Sequence, residues 1–231
     1  MLFNKDVLFI HTPKTGGTSM KITIQKGMEP PVYAYEQWHE NKLEDVPVPR
    51  PEKGKKSLFD QYRSDLHFIN GQKHNSIDQG IECMTRLGFD VFALKAIIVT
   101  VRNPYDMVAS LHAFLFNHYK YPKKVTFRDF ICCPESELTN HQKNMQRYYT
   151  TACAALRDKI KIVRFENMDA ELNEILHSAG LPGGDIPKVN VGNHKHWREL
   201  VTTPEIESAI YRQYQWIFDA GFYERITGDE Q

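Results

Sequence analysis

Cysteine is scarce in this chain, with Cys83, Cys132, Cys133 and Cys153 the only four among 231 residues. Their spacing fits no zinc pattern, and the neighbours Cys132 and Cys133 make a poor disulfide pair. That argues against a disulfide scaffold or a zinc module and for buried free thiols. An excess of charge is missing too, with 29 basic against 29 acidic residues. Such a balance gives no global attraction to nucleic acid or to an anionic membrane, so a polyanionic partner would need a local patch. No apolar run approaches the roughly 20 residues of a membrane-spanning helix. No signal-peptide pattern precedes the first strand, and no N-x-[ST] sequon occurs. The expectation is a cytoplasmic protein without a membrane segment. No internal repeat is visible. The length suits one sizeable core and a single domain over residues 1–231.

What is present is an alternation of strand and helix patterns. Val7 to Ile10 and Ala96 to Val101 are continuous apolar runs, the mark of strands buried on both faces. Leu66 to Asn70 and Lys159 to Phe165 read as further strands. Helical spacing covers Ser19 to Gly27, Ser76 to Leu87 with Ser76 as N-cap, Tyr105 to Phe116 with Met107, Leu111 and Leu115 on one face, Asp169 to Ala179 ended by Gly180, and Pro204 to Phe218. The stretch from Met28 to Ser64 reads as a long irregular insertion, with five prolines and the basic run Lys53-Gly54-Lys55-Lys56. Loops of that length are usually functional or disordered. The alternation predicts an α/β fold of three layers, with a central, mainly parallel sheet flanked by helices.

Between the first strand and the first helix lies Pro13-Lys14-Thr15-Gly16-Gly17-Thr18-Ser19. Glycines let backbone N–H groups approach an oxyanion closely. A helix N-terminus adds unpaired donors and partial positive charge. Lys14 contributes a full charge; Thr15, Thr18 and Ser19 contribute hydroxyls. The segment therefore reads as a cradle for phosphate or sulfate. It departs from the triphosphate-binding pattern G-x-x-x-x-G-K-[ST], because its lysine precedes the glycines. A ligand-free tight turn is the plain alternative.

The strand from Ala96 to Val101 ends in Arg102-Asn103-Pro104, and Pro104 suits the first turn of a helix. Arg102 thus stands at the carboxyl end of a central strand, where open α/β sheets bind ligands. Ser110 follows two turns along the helix. A guanidinium fork plus a hydroxyl suits a second, terminal phosphate. Alternatively, Arg102 pairs with an acidic side chain and Ser110 sits on a helix surface.

Together these segments resemble the sulfotransferases that use 3′-phosphoadenosine-5′-phosphosulfate (PAPS), in the branch of heparan 2-O-sulfotransferase-like and bacterial carbohydrate enzymes. That branch carries "IHIPKTGGTS" and "VRNPWDRxxS". This chain has Ile10-His11-Thr12-Pro13 before its loop, and Val101 to Ser110 for the second motif. Gly71 to Ser76 resembles the family's "GKHxSA" segment, and Val163 to Met168 its "xRFENL" segment. Pro187 to Phe222, ending in Tyr214 to Phe222, is similar to its C-terminal region. Tyr105 replaces the usual Trp, and Met107 a common Arg.

The resemblance implies a P-loop-like fold and sulfuryl transfer from PAPS to an acceptor hydroxyl, that of a carbohydrate, without a metal. It implies that Lys14, Thr15, Gly16, Gly17, Thr18 and Ser19 hold the 5′-phosphosulfate and that Lys14 stabilises the departing bridging oxygen. Arg102 and Ser110 would hold the 3′-phosphate, with Lys195 and Arg198 as further contacts. His74 ends a strand and precedes a helix, and the family places a histidine base in this segment; His67 is its rival. Trp197 would stack on a base or sugar. Glu166 reads as structural, a partner for Arg164, Lys14 or the helix ends. Lys53, Lys55, Lys56, Lys120, Lys123 and Lys124 form a candidate patch for an anionic glycan. Tyr33, Tyr35, Trp38, Tyr119 and Tyr121 are candidate sugar-stacking surfaces. Partners are thus a small nucleotide donor and a hydroxyl acceptor, with no nucleic acid. Golgi members of the family carry a membrane anchor, and this sequence shows none. Two rival readings stand beside this one. A nucleotide kinase or triphosphatase would need an acidic magnesium ligand where the strand ends in Arg102. A non-catalytic PAPS-binding module would not need His74.

Overall fold

The structure, a computed structural model, describes residues 1–36, 65–70, 74–118, 125–132, 145–189 and 195–226. The chain divides into two compact units. The first comprises Met1–Thr12, Gly16–Thr100 and Gln146–Val189, and the second Pro13–Thr15, Val101–Met145 and Asn190–Gln231.

The first unit is built on six strands: β1 (Leu2–Phe3), β2 (Val7–Phe9), β3 (Val32–Glu36), β4 (Leu66–Asn70), β5 (Ala96–Val101) and β6 (Ile160–Arg164). They lie in the order β4-β3-β1-β2-β5-β6. β2 runs parallel to β5 and β3 parallel to β4, while β1 is antiparallel to both β2 and β3. The sheet is therefore mainly parallel, as the alternation of elements predicts. Both β2 and β5 are buried along their whole length, which is why they read as unbroken apolar runs.

Two strands escape the sequence reading. β1 has two residues, too few for any periodicity, and its turn into β2 is set by one side chain. Asn4 Oδ1 accepts from the Asp6 and Val7 amides at 2.9 and 3.0 Å, the local bonding that suits asparagine to turns. β3 corrects the expectation that Met28 to Ser64 is irregular from its start. Val32 and Ala34 are buried on one side of β3, and Tyr33 on the other stacks on Phe3 at 5.3 Å. Three residues of alternation directly after a proline pair give too weak a pattern to read alone. Residues 37–64 lie outside the described residues.

One sheet face packs against helices α1 (Gly17–Gly27) and α5 (Met168–Ser178). Phe9, Val32, Phe68 and Ile98 meet Met20 and Ile24 of α1 and Leu172 and Leu176 of α5 in one core. Full burial of each such side chain favours folding by about 1.5–3 kcal/mol. The opposite face is covered by α2 (Ile77–Arg86), where Gly80 lies against Met1, Leu8 and Ile10. Ser76 caps α2 as the sequence predicts, and Gln79 completes a capping box: Ser76 Oγ accepts from the Gln79 amide at 3.2 Å, and Gln79 Oε1 from the Ser76 amide at 2.9 Å. Sheet and helices thus form three layers.

The second unit packs α3 (Pro104–His118), α4 (Phe127–Cys132) and α6 (Pro204–Asp219) against one another. Met107, Leu111 and Leu115 are buried together, as their spacing predicts. His112 lies among Phe116, Phe127 and Phe130 and donates from Nε2 to the Val125 carbonyl at 3.2 Å; burial holds its pKa below the usual histidine value. Among the described residues, Cys83 is a buried free thiol, whereas Cys132 and Cys153 are free and half-buried. No helix of the described residues is long and apolar enough to cross a membrane.

Candidate functional site

In the first unit the candidate site grows from the end of β2. The Ile10 amide still bonds the Ile98 carbonyl at 2.9 Å, and the buried residues His11 and Thr12 follow. Tyr149 fixes this end of the sheet. Its buried phenol donates to the Thr100 carbonyl at 2.7 Å, and burial raises its pKa well above the usual tyrosine value.

Helix α1 begins at Gly17, with Gly16 as its N-cap in the left-handed region at φ 76°. A Cβ at Gly16 would lie 2.7 Å from the Phe165 ring, and one at Gly17 2.3 Å from His11 Cδ2. Both positions therefore demand glycine for close packing, and Gly16 for its backbone angle as well. The amides of Gly17, Thr18 and Ser19 lie in the first turn of α1, where no intrahelical acceptor exists. Thr18 is half-buried. Ser19 is buried, and its Oγ accepts from the Val189 amide at 3.4 Å.

His74 stands against this strand end. Its Nδ1 is 2.8 Å from the His11 carbonyl oxygen, and the two imidazoles meet edge to face with centroids 5.0 Å apart. A carbonyl only accepts, so Nδ1 carries the proton and the neutral ring presents its lone pair on Nε2. Tyr148 Oη donates to the His74 carbonyl at 3.4 Å. His67, by contrast, is exposed on the edge strand β4, with two strands between it and β2, and stacks on Tyr33 at 5.2 Å.

In the second unit Lys14 has φ 62°, a left-handed backbone that is unusual for a residue with a side chain. Its Nζ lies 4.3 Å from the centre of the Phe114 ring, and Thr15 beside it is fully buried. Arg102 is buried and directs its guanidinium two ways. Nη1 donates to the Lys14 carbonyl at 3.0 Å, while Nε and Nη2 bond Asp106 Oδ2 one turn into α3. The pairing of Arg102 with an acidic side chain, one of the two sequence alternatives, is thus present. The same fork also holds the loop backbone. Ser110 is buried on α3.

Lys195 and Arg198 are exposed. Arg198 lies over the Trp197 ring at 4.5 Å, and Trp197 stacks on Tyr105 at 5.3 Å. One face of Trp197 is therefore given to packing on α3. Glu166 is exposed, and Arg164 pairs with Glu171, its Nε donating at 2.7 Å. Although burial raises the Glu171 pKa, hydrogen bonds from the Arg164 amide and side chain hold it below the usual value. Tyr33 stacks within the sheet, whereas Trp38, Lys53, Lys55, Lys56, Tyr119, Lys120, Tyr121, Lys123 and Lys124 lie outside the described residues. So does the side chain of Tyr35. Among the described residues no cluster of His, Cys, Asp or Glu is placed to hold a metal ion.

Sequence reasoning passed over His11, Tyr148 and Phe114. His11 stands inside the quoted motif, but its packing on Gly17 and His74 is tertiary. Tyr148 is 74 positions from its partner and carries no local signal.

No protein-family model matches the chain, and no curated protein matches it. Among solved structures it is similar to the crystal structure of a sulfotransferase from Alicyclobacillus acidocaldarius. Identity is 14%, the TM-score is 0.48, and the match covers 96% of this chain and 97% of that one.

Proposed function

We propose that the protein is a sulfotransferase that moves the sulfuryl group of PAPS to an acceptor hydroxyl, with a carbohydrate as the acceptor. The observation that carries this reading is His74 beside the strand end that leads into the glycine loop, with Nδ1 bonded to the His11 carbonyl at 2.8 Å. A base at a strand end beside an anion cradle is the arrangement that sulfuryl transfer to an alcohol requires. The sequence motifs support the same reading.

Each residue then has a task. The first-turn amides of α1, with Thr15 and Thr18, bind the 5′-phosphosulfate. Lys14 places positive charge where the bridging oxygen becomes negative. Arg102 and Ser110 bind the 3′-phosphate, and Arg102 also holds the Lys14 carbonyl, which fixes the loop before a ligand arrives. Lys195 and Arg198 add charge for the same phosphate. His74 Nε2 takes the acceptor proton as the new S–O bond forms. PAPS supplies the activated sulfuryl group; no metal is required in this scheme.

The test is turnover of PAPS with a panel of hydroxyl acceptors, comparing His74→Ala with His67→Ala. General-base removal is expected to cost about 100-fold or more in kcat for His74→Ala. His67→Ala is expected to remain near wild type. The reverse pattern would move the base to His67, and no transfer to any acceptor by the wild-type protein would favour a binding module.

A further inference from the structure

We propose that His11 is a positioning residue for His74, and that its imidazole, wedged between Gly17 and His74, holds in place the carbonyl that dictates which nitrogen of His74 is basic. This rests on the sulfotransferase reading for its consequence in catalysis, but its geometry stands alone.

His11 is 5% exposed and is the second residue past β2. On one side its ring fills the space that a side chain at Gly17 would occupy, with Cδ2 2.3 Å from an ideal Cβ there. On another it meets the His74 ring edge to face at 5.0 Å, and a tilted contact with Phe9 at 6.4 Å backs it. Its carbonyl accepts the His74 Nδ1 proton at 2.8 Å. The other end of His74 is also held. Its carbonyl accepts from Tyr148 Oη at 3.4 Å, and that oxygen accepts from Arg147 Nη2 at 3.0 Å. A His74 ring fixed in this way has one available tautomer, with the proton on Nδ1 and the lone pair on Nε2.

A glycine, a histidine ring and a second histidine ring therefore form one packed row from the first residue of α1 to the proposed base. Gly17 gives His11 its room, and His11 sets the hydrogen bond that orients His74. This provides a second reason for glycine at position 17, besides approach of an anion. The side chain of His11 touches no reacting atom in this scheme; it acts through His74. Removing the ring frees the backbone at residue 11 to shift, and the Nδ1 bond is then no longer enforced.

Imidazole 15N NMR on the whole chain tests this. Long-range proton–nitrogen correlations report which nitrogen of each neutral histidine is protonated. Wild-type His74 is expected protonated at Nδ1, and His11→Phe, which keeps a ring in the slot, is expected to retain that signature. His11→Ala is expected to lose it, giving a mixture of tautomers. With PAPS and an acceptor, His11→Ala should lose about 100-fold in kcat, the scale of a misplaced catalytic group, with the KM for PAPS unchanged. His11→Leu, which fills the volume without a ring, serves if the alanine variant does not fold, and the same tautomer mixture is expected of it. Protonation of wild-type His74 at Nε2 would overturn the proposal. So would a wild-type tautomer and kcat in the variants without a ring. The NMR signature is read without any donor present. A wild-type protein with Nδ1-protonated His74 but no sulfuryl transfer would therefore sink the sulfotransferase reading while leaving the role of His11 intact.

Discussion

Arg102 does two jobs with one guanidinium. It neutralises Asp106 and holds the Lys14 carbonyl, and in the proposed function it also binds the 3′-phosphate. Its replacement therefore acts on stability and on binding together. Arg102→Ala leaves Asp106 with a side chain 22% exposed and without its cation, a loss of about 3 kcal/mol by the measure of broken buried pairs. A urea melt checks that figure. Affinity for PAPS should fall far more than affinity for adenosine 5′-phosphosulfate, which lacks the 3′-phosphate. Equal losses for both would leave Arg102 as a strut only. Gly17 offers a contrasting case. Gly17→Ala places a methyl 2.3 Å from His11 Cδ2, so the imidazole must move. Overpacking of this kind costs about 1–3 kcal/mol, and a thermal melt of the variant should show it. Both motifs stand out in the sequence, because the glycine pair follows an apolar strand pattern and the arginine ends another, although each also allows a plain structural reading. The double duty was not. The bond from Arg102 to Lys14 spans 88 positions, and a sequence shows the residue without its partner.

At the scale of elements, long periodic patterns were read well and short ones were not. α2, α3, α5 and α6 were all legible within two residues or so at each end, because each repeats its apolar spacing over two or more turns. β1 and β3 were missed for opposite reasons. One is too short to show a period, and the other is hidden behind prolines. A polar cluster in the second unit was also unreadable. Tyr105 Oη donates to Glu207 at 2.9 Å, and Arg225 grips the same carboxylate with two bonds of 2.8 Å. The Ile226 amide in turn bonds Tyr105 Oη at 3.3 Å, so the segment after α6 is tied to α3 and α6. Tyrosine at 105, where the resembled family has tryptophan, thus supplies the hydroxyl on which this cluster depends. Burial raises the Glu207 pKa, but the bonds from Arg225 and Tyr105 outweigh it and hold the group below its usual value. A carboxylate with a depressed folded-state pKa contributes stability above its unfolded value, and that contribution is lost as pH falls through the folded value. For Glu207 the loss should begin below the ordinary glutamate value of 4.5. Glu207→Gln should lower stability at pH 7 by about 2 kcal/mol, the scale of lost charge-assisted hydrogen bonds. It should also weaken the acid dependence of unfolding. Urea melts at neutral pH and below the glutamate range measure both, and an unchanged acid limb would assign the acid sensitivity to other groups.

At the scale of the whole molecule, balanced charge predicts no long-range field that would select a polyanion, so donor recognition must come from placed groups. In the proposed function those groups are the first-turn amides of α1, Lys14, Arg102 and Ser110. The α/β class and the mainly parallel sheet were legible because strand and helix patterns alternate along the chain. The acceptor was not, because lysine runs and single aromatics serve as readily for a solvated loop or for packing as for a glycan. The central claim is that the chain recognises a nucleotide by its 3′-phosphate. Calorimetric titration with 3′-phosphoadenosine 5′-phosphate, AMP and ATP, without added metal, tests it most directly. Strong preference for the 3′-phosphorylated ligand is expected, since Arg102 and Ser110 have no counterpart group on the other two. No binding, or a magnesium-dependent preference for ATP, would contradict the claim and point to a kinase or triphosphatase instead.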